Sequence, residues 1–181
     1  MRLLFLGPPG AGKGTQAARV AEHLGIPHVS TGEMFRRHVA EDTELGRRVK
    51  AIMEAGEYVP DEVTIDMLAE RTAAEDAVAG FILDGFPRTP GQAEALDVLL
   101  ADEPLDWVVV FDVDEDELVR RILSRGRSDD TEEAIRTRFR VYQEQTAPLI
   151  DLYKDRGIVI GIDGSGEVDE VTDRILKVLE S

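Results

Sequence analysis

The stretch Gly7-Pro8-Pro9-Gly10-Ala11-Gly12-Lys13-Gly14-Thr15 limits the folds open to this chain more than any other. An apolar run, Leu3 to Leu6, precedes it, and a helical pattern ending at Leu24 follows. The order is strand, glycine-rich loop, helix. A phosphate needs many donors close by. Glycines let backbone N–H groups turn inward with no side chain in the way, and the helix N-terminus adds the positive end of its dipole. Gly10, Ala11, Gly12, Gly14 and Thr15 then form a cradle, and Lys13 reaches the outer phosphates of a nucleoside triphosphate. The spacing is that of a P-loop, G-x-x-x-x-G-K, with one departure: Gly14 stands where Ser or Thr is usual, and Thr15 follows it. A glycine-rich turn that binds nothing is the bland alternative. The flanking strand and helix argue against it.

Apolar runs of strand length recur along the chain: Leu3–Leu6, Ile26–Val29, Phe81–Leu83, Trp107–Phe111 and Ile158–Ile162. Helical patterns separate them over 12–24, 33–39, 45–55, 63–75, 90–100, 115–124, 131–153 and 168–179. Asp61 is placed to cap the fourth helix behind Pro60, and Pro148 to kink the long seventh one. Alternation of this kind predicts an α/β fold, a five-stranded parallel sheet with helices on both faces. Ligands of such sheets sit at the carboxyl ends of the strands.

Acidic residues outnumber basic ones, 37 to 21, for a formal net charge of −16. That opposes a general nucleic-acid binder and docking on anionic membranes. An anionic substrate must be drawn in by a local cluster of cations. The chain has no cysteine, so disulfides and thiolate metal sites are excluded. It shows neither a signal peptide nor a membrane-length apolar window, which makes a cytoplasmic protein the expectation.

Three further groups of residues carry chemistry. Ser30-Thr31-Gly32 ends the second strand run, and Arg36 lies close enough on the next helix to reach back. Arg36 suits a bidentate phosphate contact; simple capping by Ser30 or Thr31 with an ordinary surface arginine explains the same residues. Asp84 emerges from the end of an apolar strand, the position of a carboxylate that holds Mg²⁺ directly or through water, with Thr15 as a second oxygen donor. Beyond it, Gly85 permits close backbone approach, Arg88 offers a phosphate clamp, and Gln92 carries an amide suited to an adenine edge or to solvent. Finally, Arg121, Arg125, Arg127, Arg136 and Arg138 gather in an acidic chain. They either form surface ion pairs with Asp129, Asp130, Glu132 and Glu133 or neutralise a phosphoryl group in transfer. Gly164-Ser165-Gly166 is a turn or a backbone contact for a base. His23, His28 and His38 have no ligand spacing and are expected at the surface or in loops, and Trp107 in the core.

The G-x-P-G-x-G-K-G-T loop, Ser30-Thr31-Gly32 and Asp84-Gly85-Phe86-Pro87-Arg88 together resemble adenylate kinase, in the right order and over essentially the whole chain. The resemblance implies reversible transfer of the γ-phosphoryl of MgATP to AMP, giving two ADP. It implies a core of 1–29, 60–123 and 133–181, an AMP-binding region over 30–59 and a short lid over 124–132. It assigns Arg121, Arg125 and Gly166, with the phosphate loop, to ATP. It assigns Thr31, Arg36, Glu57, Tyr58, Val59, Gly85, Phe86, Pro87, Arg88 and Gln92 to AMP, and Arg127 and Arg138 to the AMP phosphate and the moving group. Lys13, Asp84, Arg88, Arg127 and Arg138 are the expected catalytic set. The resemblance also implies a monomer using Mg²⁺ and no zinc. Glu33 replaces a more usual aspartate of the family, and Tyr58 a more usual aliphatic residue. A kinase for UMP or CMP is opposed by Thr31 and Gln92. A switch that only binds or hydrolyses triphosphate would have no use for Arg36 and Arg88.

Overall fold

The apolar runs become strands whose alternate residues face two separate cores, as the period of two of an extended chain requires. The computed structural model describes residues 1–180. In it β1 (Arg2–Leu6), β2 (His28–Ser30), β3 (Phe81–Asp84), β4 (Trp107–Asp112) and β5 (Val159–Asp163) form one parallel sheet, ordered β2-β3-β1-β4-β5. Leu3 and Phe5 of β1 pack with Ile82, Val109, Phe111 and Ile162 on one face. Leu4 and Leu6 pack with Val29, Phe81, Leu83 and Val108 on the other. The first face is covered by α1 (Lys13–Leu24) and α9 (Val168–Leu179) through Ala17, Val20, Val171 and Ile175. The second is covered by α4 (Asp61–Thr72), α5 (Pro90–Leu99) and α8 (Ala147–Asp155) through Leu68, Ala93, Leu96, Leu149 and Tyr153.

Between β2 and α4 the chain leaves the sheet as α2 (Thr31–Ala40) and α3 (Glu44–Glu54). Phe35, Val49 and Val59 form a small third core there, joined by Val63 and Met67 of α4. The helices meet closely at Gly46, where a Cβ would lie 2.0 Å from the carbonyl oxygen of His38. The remaining helices are α6 (Glu115–Ser124) and α7 (Glu132–Val141).

Four expectations need correction. β2 starts at His28, not Ile26, because Pro27 has no N–H for the ladder and contributes only its carbonyl, which accepts from Ile82 at 2.9 Å. Asp61 does not cap α4; it is the first residue of that helix, and its carboxylate accepts from Thr89 Oγ1 at 2.7 Å and Gln92 Nε2 at 2.8 Å. The helix expected over 131–153 is broken by a π-helical turn, Tyr142–Thr146, between α7 and α8. Pro148 follows at the start of α8, where the missing N–H cannot continue the α ladder. Trp107, expected in the core, is 36% exposed at the start of β4.

The connection leaving β1 and the one leaving β3 pass to opposite faces of the sheet. Their loops, residues 7–12 and 85–89, therefore splay apart at the carboxyl ends of two adjacent strands. Sheets of this type open a crevice at that place.

Candidate active site

A cavity of about 690 Å³ fills the crevice. The loop after β1 forms one wall. Gly10 (φ 86°) and Gly12 (φ 88°) are left-handed. A Cβ on Gly10 would press against the Leu118 carbonyl at 2.6 Å, so the loop can lie against α6 only as glycine. Gly12 caps α1 with no side-chain hydrogen bond, which leaves the first amides of that helix open to the cavity. Lys13 folds back on the loop, donating from Nζ to the carbonyls of Gly7 at 2.7 Å and Pro8 at 2.9 Å. Burial pushes its pKa down to about 8; Asp84 opposes this, and Arg88 and Arg125 add to it.

Asp84 ends β3 between Phe5 of β1 and Ser30 of β2. Burial pushes its carboxyl up, but His28, Lys13 and Arg88 outweigh that and hold it below the usual carboxylate range. His28 was expected at the surface or in a loop. It instead begins β2, with Nε2 3.5 Å from Asp84 Oδ2 and no closer partner for that buried nitrogen. Gly14 now has a reason to depart from Ser or Thr: a Cβ there would meet Asp84 Oδ2 at 3.3 Å. No group of three or more His, Cys, Asp or Glu side chains suits a metal among the described residues. A lone buried carboxylate beside an open phosphate loop fits Mg²⁺, which keeps most of its waters and takes its other oxygens from phosphates.

The opposite wall comes from β2, β3 and the loops after them. Thr31 Oγ1 donates to the Gly85 carbonyl at 2.8 Å, so toward a ligand this hydroxyl can only accept. Arg88 Nε donates to the same carbonyl at 2.7 Å. Gln92, nearly inaccessible at 1% exposure, accepts from Arg88 N at 2.8 Å through Oε1 and donates to Asp61 through Nε2. Its amide keeps one N–H and one lone pair for a base. Glu57, Tyr58, Val59, Gly85 and Pro87 also line this wall. Phe86 does not: it is buried in the second core with Leu4 and Leu83.

The arginines close the third side, and they divide into two kinds. Arg121 Nε pairs with Glu117 at 2.7 Å and its Nη2 reaches the Gly164 carbonyl at 3.0 Å, beside Gly166. Arg125 makes a bidentate pair with Asp130, at 2.6 and 2.7 Å. Arg138 bridges Asp129 and Asp130, both at 2.5 Å. These two therefore do form the ion pairs open to them in the sequence, but at the cavity and with largely buried carboxylates rather than at the surface. Arg136, which pairs with Glu132 at 2.6 Å, stays outside. Arg36, Arg88 and Arg127 line the same cavity with no carboxylate within ion-pair reach among the described residues. Arg36 and Arg127 are each lowered in pKa, first by burial and then by a neighbouring guanidinium, Arg127 acting on Arg36 and Arg125 on Arg127. Unpaired cations crowded at one cavity are a receptor for anions.

Thr146 and Tyr142, on the π turn, reach the cavity without any signal in the sequence beyond the proline that follows. Thr146 Oγ1 donates to the Arg88 carbonyl at 2.8 Å. Burial, with Tyr58 nearby, pushes the Tyr142 hydroxyl up to about 12.

Comparison with known proteins agrees with this geometry. The family model for adenylate kinase matches residues 5–158. An adenylate kinase of Nocardioides sp. is 55% identical over 186 residues, covering 99% of this chain and 97% of that protein. One from Corynebacterium glutamicum is 55% identical over 181 residues, with 99% of each chain covered. One from Kocuria rhizophila is 52% identical over 185 residues, covering 99% of this chain and 98% of the relative. With a phosphate loop facing unpaired guanidinium groups across one cavity, the chain belongs to the adenylate kinase family and catalyses reversible phosphoryl transfer between ATP and AMP, giving two ADP.

Proposed function

We propose that the cavity divides into a donor half and an acceptor half, with the reacting phosphates between them. The amides of Gly10, Ala11, Gly12, Gly14 and Thr15, with Lys13, hold the triphosphate of ATP. Arg121 lies along its adenine, Gly166 offers backbone to the base, and Arg125 closes over the phosphates. Thr31, Arg36, Glu57 and Val59 hold AMP, with Gly85, Pro87, Arg88 and Gln92, and Tyr58 lines the same wall against Arg88. Arg88, Arg127 and Arg138 neutralise the acceptor phosphate and the group in transfer. Phe86 supports this wall from the core and takes no part in contact. The enzyme works as a cytoplasmic monomer, with residues 30–59 as the AMP-binding region and 124–132 as a short lid on a core of 1–29, 60–123 and 133–181.

Asp84, with Thr15 as a second oxygen donor on the same cavity, would hold the Mg²⁺ of MgATP through water. Such an ion, when bound, would supply positive charge that offsets the charge of the phosphates. Transfer is direct and in line: an AMP phosphate oxygen bonds to the γ-phosphorus as the bond from the β-phosphate bridge to that phosphorus breaks. The acceptor is already an anion, so no side chain need act as nucleophile or strong base. Fixed cations replace hydration around the moving group, and closure keeps water from taking it.

The observation that carries this reading is the presence of unpaired guanidinium groups, Arg36, Arg88 and Arg127, across one cavity from Lys13. Its test is Arg88→Ala. Loss of one charge-assisted phosphate clamp should lower kcat/KM for AMP on the order of a hundredfold or more, while ATP affinity stays within about twofold. A fall in ATP affinity with AMP affinity intact would reverse the donor and acceptor assignment.

A further inference from the structure

Tyr58 holds Arg88 at both ends. The Arg88 guanidinium carbon lies 5.0 Å from the centroid of the Tyr58 ring, within the range of a cation–π contact. The Tyr58 hydroxyl lies 2.8 Å from Thr146 Oγ1, and that oxygen in turn donates to the Arg88 carbonyl at 2.8 Å. The proton count fixes the direction. Thr146 has one hydroxyl hydrogen, a carbonyl can only accept it, so the Tyr58 hydroxyl must donate to Thr146. Arg88 is fixed elsewhere as well: its N–H donates to Gln92 and its Nε to the Gly85 carbonyl. The terminal amino groups of its guanidinium have no protein hydrogen bond among the described residues and remain for a ligand.

From this arrangement we propose that Tyr58 is a positioning residue for the known reaction, acting on the acceptor phosphate through Arg88. The proposal rests on the assignment of Arg88 to AMP. The ring fixes the plane of the guanidinium, and the hydroxyl, through Thr146, fixes the backbone from which that side chain springs. Three separate parts of the chain thus meet at one arginine: the loop after α3, the loop after β3, and the π turn. An aliphatic residue at position 58 would supply neither contact. The π turn gains a purpose too, since it sets Thr146 facing the Arg88 carbonyl.

The test compares steady-state kinetics and direct AMP binding for Tyr58→Phe, Tyr58→Leu, Thr146→Val and Arg88→Ala, with Tyr58→Leu also made in the Arg88→Ala background. Tyr58→Leu should raise the KM for AMP about tenfold, and Tyr58→Phe and Thr146→Val about threefold, with the KM for ATP unchanged in each. In the Arg88→Ala background Tyr58→Leu should add nothing, because the group it positions is gone. Full additivity of the two changes would overturn the proposal and make Tyr58 a direct contact or a mere packing residue. An unchanged AMP affinity in Tyr58→Leu, with Arg88→Ala still impaired, would overturn it while leaving the acceptor assignment intact. If Arg88→Ala itself left AMP binding untouched, the acceptor assignment would fail instead. Thr146→Val, a near-isosteric change that leaves the ring itself in place, keeps the test decisive should Tyr58→Leu fold poorly.

Discussion

At the scale of single residues, Lys13 has the most direct consequence. Burial holds its pKa at about 8, well under the ordinary lysine value of 10.5. An incoming triphosphate restores negative charge around it and pulls that value up again. ATP binding at pH 8.5 should therefore take up a proton, up to roughly three-quarters of one for a group titrating near 8. Calorimetric titrations in buffers of different ionisation enthalpy measure the uptake, which should vanish in Lys13→Met. No uptake in the native enzyme would mean that Lys13 is already charged before ATP arrives. The stability of the ligand-free protein follows the same sign. The unfolded chain holds more protons at this lysine between pH 8 and 10.5, so its contribution to stability rises with pH across that window. Lys13 was plain from the glycine spacing around it. The partners of Asp84 were not: nothing in the order of residues sets His28 beside Asp84, because they lie on neighbouring strands joined by a crossover.

At the scale of elements, the seam between the loop after α3 and α7 decides how the cavity wall that carries Tyr58 is held. Arg138 Nη2 reaches the Met53 carbonyl at 3.4 Å, and Arg140 pairs with Glu57 at 3.1 Å. Gly56 lies between them with φ 79°, and a Cβ there would come within 2.5 Å of the Ala134 carbonyl oxygen. Gly56→Ala should thus cost about 2 kcal/mol or more, from left-handed backbone and overpacking together. Thermal or urea unfolding measures the loss, and AMP should bind more weakly because Tyr58 is carried on the same loop. A variant as stable as the parent would show that the seam can open freely. The strand and helix pattern was legible in most elements. Where it failed, at 131–153, the pattern of apolar residues is the same for an α-helix and for one with an added π turn. Only packing of Tyr142 and Thr146 in the tertiary structure, with Thr146 against Tyr58 and Arg88, separates the two.

At the scale of the whole molecule, the formal charge of −16 repels itself in the compact state. Many surface pairs offset part of this, each worth little in water. Raising NaCl from about 10 mM to 0.5 M shortens the Debye length from about 30 Å to a few ångströms and screens the long-range repulsion first. The melting temperature should rise, by about 3 °C for each kcal/mol of repulsion removed. Differential scanning calorimetry across that salt range measures it, and a steady fall would show that the ion pairs dominate. The cationic cavity in an acidic envelope also explains why its arginines are drawn from so many elements. Asp129 and Asp130 offset the repulsion where Arg125 and Arg138 come together.

The order of residues by itself determined the parallel α/β sheet and the phosphate loop. These depend on local periodicity, on glycine's conformational freedom and on fixed short spacings, all of which are written along the chain. Tertiary structure alone decided which arginines are paired and which are free. It also turned Gln92 toward Asp61, buried His28 against Asp84, and set Tyr58 and Thr146 around Arg88. Those contacts join residues tens of positions apart. A side chain's partner across such a distance is set by how the strands and helices pack, not by its neighbours in sequence.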